Sequence, residues 1–160
     1  MTKIAIYPGS FDPVTLGHED IIKRCFAFSD RVIVAVAVNS SKTPLFALDE
    51  RVELLHDVLD GIPHVEVDRF DGLLADYARR VGAHMVVRGL RAVSDFEYEF
   101  EMALMNRGLN RELETVFLTP DIHHTFLRSS LVREVASLGG DVSSFVHPKV
   151  EHALRRKLTV

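Results

Sequence analysis

Apolar segments of strand length alternate with helical patterns along the whole chain, and this alternation constrains the fold more than any other feature. The strand-like runs fall at about 3–7, 32–38, 64–68, 84–88 and 114–118. The helical patterns fall at about 17–28, 48–59, 72–81, 94–108, 129–137 and 147–158. Val32-Ile33-Val34-Ala35-Val36-Ala37-Val38 is continuous and largely β-branched, as a strand buried on both faces must be. The pattern predicts one domain over residues 1–160. Its class is α/β, doubly wound and Rossmann-like, with five parallel strands and helices on both faces. Right-handed crossovers then set the strand C-termini along one edge, and ligands bind outside that edge.

A chain of 160 residues with 47% hydrophobic content can fill one such core. The net charge of −4 gives no global field for nucleic acid. No apolar stretch reaches the roughly 18 residues of a membrane helix, and the N-terminus lacks a signal-peptide core. The expectation is a cytoplasmic protein with neither nucleic acid nor membrane as partner. Cys25, the sole cysteine, lies within a helical pattern and reads as packing. Ser94-Asp95-Phe96-Glu97 reads as a capping box opening the fourth helix. Gly139-Gly140 can close the fifth. Asp49 and Glu50 suit the first turn of the second, although Ala47 is a poor cap before it.

The chemistry-bearing residues collect in the loops of the expected edge. Residues 8–18, Pro-Gly-Ser-Phe-Asp-Pro-Val-Thr-Leu-Gly-His, form a strand-to-helix turn. Such a turn aims backbone N–H groups at a ligand, and the helix N-terminus adds partial positive charge. His18, in the first helical turn, can face the same ligand. Lys42 follows the second strand in the polar loop Asn39-Ser40-Ser41-Lys42, where an ammonium can follow a phosphate. Asp71-Gly72-Leu73-Leu74 follows the third. Arg88-Gly89-Leu90-Arg91 follows the fourth and sets two guanidinium forks around a glycine. The same arginines could instead bridge to Asp95 or Glu97. Leu127-Arg128-Ser129-Ser130-Leu131-Val132-Arg133 opens the fifth helix as a second anion site. On the fourth helix, Phe96, Phe100, Ala103 and Leu104 are expected to face the core. Tyr98, Met102 and Met105, with Asn106 beside them, form a second stripe suited to a pocket wall or a subunit contact. No P-loop, Gly-x-Gly-x-x-Gly or Gly-x-Ser-x-Gly motif is present. Adjacent His123 and His124 do not make a metal site.

Thr15-Leu16-Gly17-His18 resembles the (His/Thr)-x-Gly-His signature of the nucleotidyltransferase superfamily. With Tyr7-Pro8-Gly9-Ser10-Phe11-Asp12-Pro13 it is most similar to the bacterial phosphopantetheine adenylyltransferases. Ser41-Lys42-Thr43-Pro44, Arg88–Ala92 with Asp95–Glu99, and the segment 127–133 resemble that family's further motifs. Leu127 stands where the family has Ile, and Arg128 where it has the first Ser. The resemblance implies adenylyl transfer from ATP to 4′-phosphopantetheine, with Mg²⁺ carried by ATP, coenzyme A as a feedback ligand and a homohexamer.

The same resemblance implies the roles. His18, Lys42 and Arg91 would be catalytic. ATP would lie against Ser10, Phe11, Gly17, His18, Gly89, Leu90, Arg91 and Glu99, and along His124, Thr125, Phe126, Leu127, Arg128, Ser129 and Ser130. The acceptor would meet Ser10, Lys42, Leu74, Arg88, Tyr98, Met102, Met105 and Asn106. Three other functions fit the bare residues. They are transfer to nicotinamide mononucleotide or to a sugar or glycerol phosphate, a non-enzymatic nucleotide module, and an assembly protein.

Overall fold

The computed structural model describes residues 1–38 and 43–159. Five strands form one sheet: β1 (Ile4–Gly9), β2 (Arg31–Ala37), β3 (Val65–Phe70), β4 (Met85–Gly89) and β5 (Glu114–Leu118). Six α-helices follow them: α1 (Leu16–Cys25), α2 (Leu48–Leu59), α3 (Leu74–Val81), α4 (Val93–Leu109), α5 (Ser129–Ser137) and α6 (Pro148–Leu158). The order is β3-β2-β1-β4-β5, and every neighbouring pair is parallel.

Both faces of the sheet are buried, and the strand period of two sorts the side chains between them. Ala5, Tyr7, Val32, Val34, Val36 and Val87 enter the larger core, with residues of α1, α2, α5 and α6. Ile6, Ile33, Ala35 and Val86 enter the smaller one, with Ala75, Tyr77 and Ala78 of α3. Cys25 lies in the larger core with no exposure, and burial pushes its thiol up to about 12. It is a packing residue there.

Element ends depart from the pattern for local reasons. β1 runs on through Pro8 and Gly9, because both pair with β2. α1 stops at Cys25 rather than 28; the Ser29 hydroxyl donates to the Cys25 carbonyl and the chain turns. α3 starts at Leu74 rather than 72, since Gly72 sits at φ 79°. The Ser94 capping box does not form. α4 begins at Val93, and its N-cap is Ala92, which has no side chain to cap with. α2 does begin after Ala47, and the Glu50 carboxylate accepts the Ala47 N–H at 2.7 Å in place of a capping side chain.

The fourth helix overturns a larger expectation. Phe96, Phe100 and Leu104 are 45%, 47% and 55% exposed, and only Asn106 of the helix is buried. Apolar residues occupy both of its stripes; Phe96 still meets Phe117 of β5 edge-on and Ala103 is half-buried, but most of both stripes is exposed.

α5 ends as its two glycines suggest. Gly139 takes φ 78° and donates to Ala136, while Gly140 donates to Val135, a Schellman closure. A Cβ on Gly140 would lie 2.5 Å from Val135 Cγ1 and 3.0 Å from its carbonyl oxygen. Gly140→Ala should therefore cost about 1–3 kcal/mol, visible as a lower Tm with the α/β circular dichroism retained.

Candidate active site

Sequential strands run outward from β1 to β3, and the chain then crosses back to place β4 on the other side of β1. Loops leaving β1 and β4 diverge at this reversal, where open α/β sheets bind ligands. A cleft of about 570 Å³ opens there. It is lined by the turn after β1, the start of α1, the end of β4 with α4, and the start of α5.

The start of α1 sets His18. Thr15 is the N-cap, and its N–H donates to His18 Nδ1 at 3.0 Å. Its hydroxyl accepts the His18 N–H at 3.4 Å. This is a capping box with an imidazole in the place of the usual Glu or Gln. Since Nδ1 accepts, the neutral ring carries its proton on Nε2, which is the donor left for the cleft. The Phe11 ring meets the imidazole edge-on at 5.0 Å, and Tyr7 lies 6.2 Å away. Burial, then the Arg91 and Arg88 charges, push the His18 pKa down to about 4. The ring is thus neutral at pH 7. The helix start is less open than the motif suggests, because the Leu16 N–H is taken by the Phe145 carbonyl.

Four arginines and three carboxylates line the cleft. Arg88 grips Glu99 bidentately, at 2.8 and 2.6 Å, and donates to the Pro8 carbonyl at 2.9 Å. Arg91 lies 3.6 Å from Asp95 and 3.4 Å from the Leu127 carbonyl. Arg133 holds the carbonyl of Asp12 and lies 3.5 Å from its carboxylate. Asp12 in turn accepts the N–H groups of Leu45 and Phe46, both at 2.9 Å. Each carboxylate therefore has an arginine. Of the four cleft arginines only Arg128, exposed at the N-cap of α5, has no partner among the described residues. Ser129 donates its hydroxyl to the Pro13 carbonyl at 2.7 Å, which docks α5 onto the first turn.

Of the residues singled out from the sequence, the cleft gathers Ser10, Phe11, Gly17, His18, Arg88, Gly89, Arg91 and Glu99. It also gathers His124, Leu127, Arg128 and Ser129. Others lie elsewhere. Leu90 joins the sheet, its N–H bonded to the Leu118 carbonyl. Thr125 bonds back to Asp121 and Ile122, and Phe126 packs edge-on against Phe145. Ser130 is exposed outside the cleft wall. Leu74 packs against the smaller core. Tyr98, Met102 and Met105 lie exposed on α4, and Asn106 is buried at its far end. Lys42 falls outside the described residues. The sequence reading did not assign Asp12 or Arg133 to the site. Arg133 was findable as the basic residue closing the 127–133 motif, whereas Asp12 needed the fold.

Residues 6–135 match the cytidylyltransferase-like family. The chain is 57% identical over 152 residues to a phosphopantetheine adenylyltransferase of Nitrosomonas eutropha, covering 95% of this chain and 93% of that one. It is 54% identical to the phosphopantetheine adenylyltransferase of Aromatoleum aromaticum, covering 98% and 96%. Among solved structures, a Plasmodium falciparum nicotinic acid mononucleotide adenylyltransferase shares the fold with a TM-score of 0.71 at 14% identity, covering 100% and 97%. So does a bifunctional NMN adenylyltransferase/ADP ribose pyrophosphatase of Francisella tularensis, with a TM-score of 0.73 at 14% identity, covering 100% and 51%.

The His18 geometry has a measurable consequence. An unfolded histidine takes its proton near pH 6.5, and the folded one only near 4. Between those values the unfolded state binds a proton that the folded state does not. The stability His18 contributes is complete above about pH 6.5 and drains as pH falls to about 4. NMR titration should place the His18 imidazole at about 4, well below the roughly 6.5 of an unfolded histidine. His18→Gln should flatten the fall of Tm over that window.

Proposed function

The chain belongs to the cytidylyltransferase-like family and, within it, to the phosphopantetheine adenylyltransferases, and from that membership we infer its reaction and the work of its cleft. It transfers the adenylyl group of ATP to 4′-phosphopantetheine, giving dephospho-coenzyme A and pyrophosphate. The near-full-length identity to enzymes of that name carries this conclusion. The unrelated-sequence neighbours share only the fold.

The acceptor's phosphate monoester is already anionic near neutral pH and needs no strong base. One of its oxygens attacks the α-phosphorus, the bond from that phosphorus to the bridging oxygen breaks, and pyrophosphate leaves with the electron pair. The protein's task is to hold both phosphates in line and to stabilise the charge that builds on them. We assign His18 Nε2–H to the phosphate undergoing transfer. A neutral donor locked by Thr15 and Phe11 has no reorganisation to undergo. Arg91, with Arg128 and the free N–H groups at the start of α5, is suited to the leaving phosphates. Lys42 and Ser10 are assigned to the acceptor's phosphate, and Arg88 to the pantetheine side.

The cleft's carboxylates do not suit a resident magnesium ion, since each is already held by an arginine. Among the described residues no group of three or more His, Cys, Asp or Glu side chains could hold a metal. We place Mg²⁺ on the triphosphate, as part of the substrate. The uncovered apolar face of α4, with Tyr98, Met102 and Met105 beside Phe96 and Phe100, supports a subunit contact in the homohexamer that the family resemblance implies. The same stripe, near a partner, would then meet the pantetheine arm. Coenzyme A, sharing that arm, is the expected feedback ligand, and the cytoplasm the expected compartment.

Mixing the protein with ATP, Mg²⁺ and 4′-phosphopantetheine should release pyrophosphate, and nicotinamide mononucleotide should not replace the acceptor. His18→Ala should lower kcat by about 10² or more with the fold retained, and should lower Tm only modestly, because the Thr15 N–H loses its acceptor. A variant with native turnover would remove His18 from the chemistry. Arg128→Ala should raise the KM for ATP by about tenfold and leave the acceptor's KM unchanged, as loss of one charge-assisted contact would. Equal change in both constants would place that charge elsewhere.

A further inference from the structure

Arg51, in the first turn of α2, is 2% exposed and heads the largest fully buried side chains of the protein. It has no carboxylate partner among the described residues. Its donors go to three main-chain carbonyls: Nη1 to Ser10 at 2.8 Å and to Ala37 at 3.5 Å, and Nε to Phe46 at 3.2 Å. These carbonyls belong to the turn after β1, the end of β2 and the residues leading into α2. A buried guanidinium without a counter-charge is costly, and an apolar chain of its length would fill the space at less cost. Packing alone does not account for it.

The turn after β1 shows what the charge holds. Phe11 has φ 49°, in the left-handed region that a residue with a bulky side chain avoids. The Ser10–Phe11 peptide is trans, so its C=O and N–H point in opposite directions. With the Ser10 carbonyl turned down to Arg51, the Phe11 N–H is turned the other way. Ser10 and Phe11 line the cleft and Arg51 does not, so that N–H faces the ligand side. It has no hydrogen-bond partner among the described residues. Rotating this one peptide would take Phe11 out of its strained φ. It would also exchange the N–H for a carbonyl oxygen, which repels an anion.

We infer that Arg51 is a positioning residue for the transferred phosphate. By gripping the Ser10 carbonyl it prevents the peptide from turning over and keeps the Phe11 N–H aimed into the cleft as an anion donor. The identity of the anion rests on the adenylyl-transfer reading, whereas the orientation of the peptide does not.

The test compares Arg51→Met, which keeps length and removes donors and charge, with Arg51→Lys, which keeps a charged donor. Each is crystallised and assayed for pyrophosphate release with ATP and 4′-phosphopantetheine, well below its Tm. In Arg51→Met the Ser10 carbonyl should turn into the cleft. Its kcat should fall by about 10² with the acceptor's KM within about twofold of wild type, as loss of one preorganised donor predicts. Arg51→Lys should keep the wild-type peptide orientation and recover much of kcat. A folded Arg51→Met with the Ser10 carbonyl unmoved, or with native kcat, overturns the proposal. Should Arg51→Met fail to fold, Arg51→Lys decides. Partial kcat with Nζ on the Ser10 carbonyl supports the role, and native kcat with that carbonyl released overturns it. If the wild type releases no pyrophosphate, the adenylyl-transfer reading fails, and the peptide orientation in the variants still decides the role of Arg51.

Discussion

Strand β1 is hydrogen-bonded on both sides by strands that come from different parts of the chain, β2 directly after it and β4 much later. A parallel sheet must bury both faces, so each connection crosses over a face and returns at the same edge. Building outward from β1 first one way and then the other leaves a gap above its C-terminal end. The glycine turn, the α4 start and the α5 start line that gap. The cleft is thus a consequence of strand order, and most of the residues that line it follow the ends of β1, β2 and β4 or open α1, α4 and α5.

Within the gap, small polar interactions decide what a ligand meets. Thr15 takes the Nδ1 side of His18, so the ring presents a donor and stays uncharged at neutral pH. Arginines pair with every cleft carboxylate, so the free positive charge is concentrated at the rim, on Arg128. Beneath the turn, Arg51 and Asp12 bind main-chain groups rather than each other, one gathering carbonyls and the other N–H groups. They fasten the β1 turn to the segment that precedes α2. These contacts share one logic: charge inside the protein is used to orient backbone and side chains, leaving net positive potential for a polyphosphate.

Much of this was legible before the fold was known, and the reasons differ by element. The β-branched run 32–38 could only be a central strand. The Schellman closure follows from the positive φ of Gly139, which glycine adopts freely, with Gly140 beside it where a Cβ would press on Val135. Arg88 and Arg91 were placed at a strand end by the alternation alone. The partner of Arg88 was not legible. Glu99 lies eleven residues on and meets it only because α4 folds back across β4, whereas Asp95, at i+4 from Arg91, is a local partner that spacing does suggest. The exposure of Phe96, Phe100 and Leu104 was misjudged because helical periodicity reports an apolar stripe and not what covers it.

The amino-acid sequence by itself determined the elements, their alternation and the loops that carry the chemistry. Those depend on local propensity, on strand and helix periods, and on turn residues, all of which act over a few positions. The tertiary structure alone decided which charges neutralise one another, the tautomer-setting environment of His18, and the burial of Arg51 on carbonyls from residues 10, 37 and 46. Those outcomes depend on groups distant in the chain meeting at short range in a medium that screens them weakly, and no local pattern encodes such a meeting.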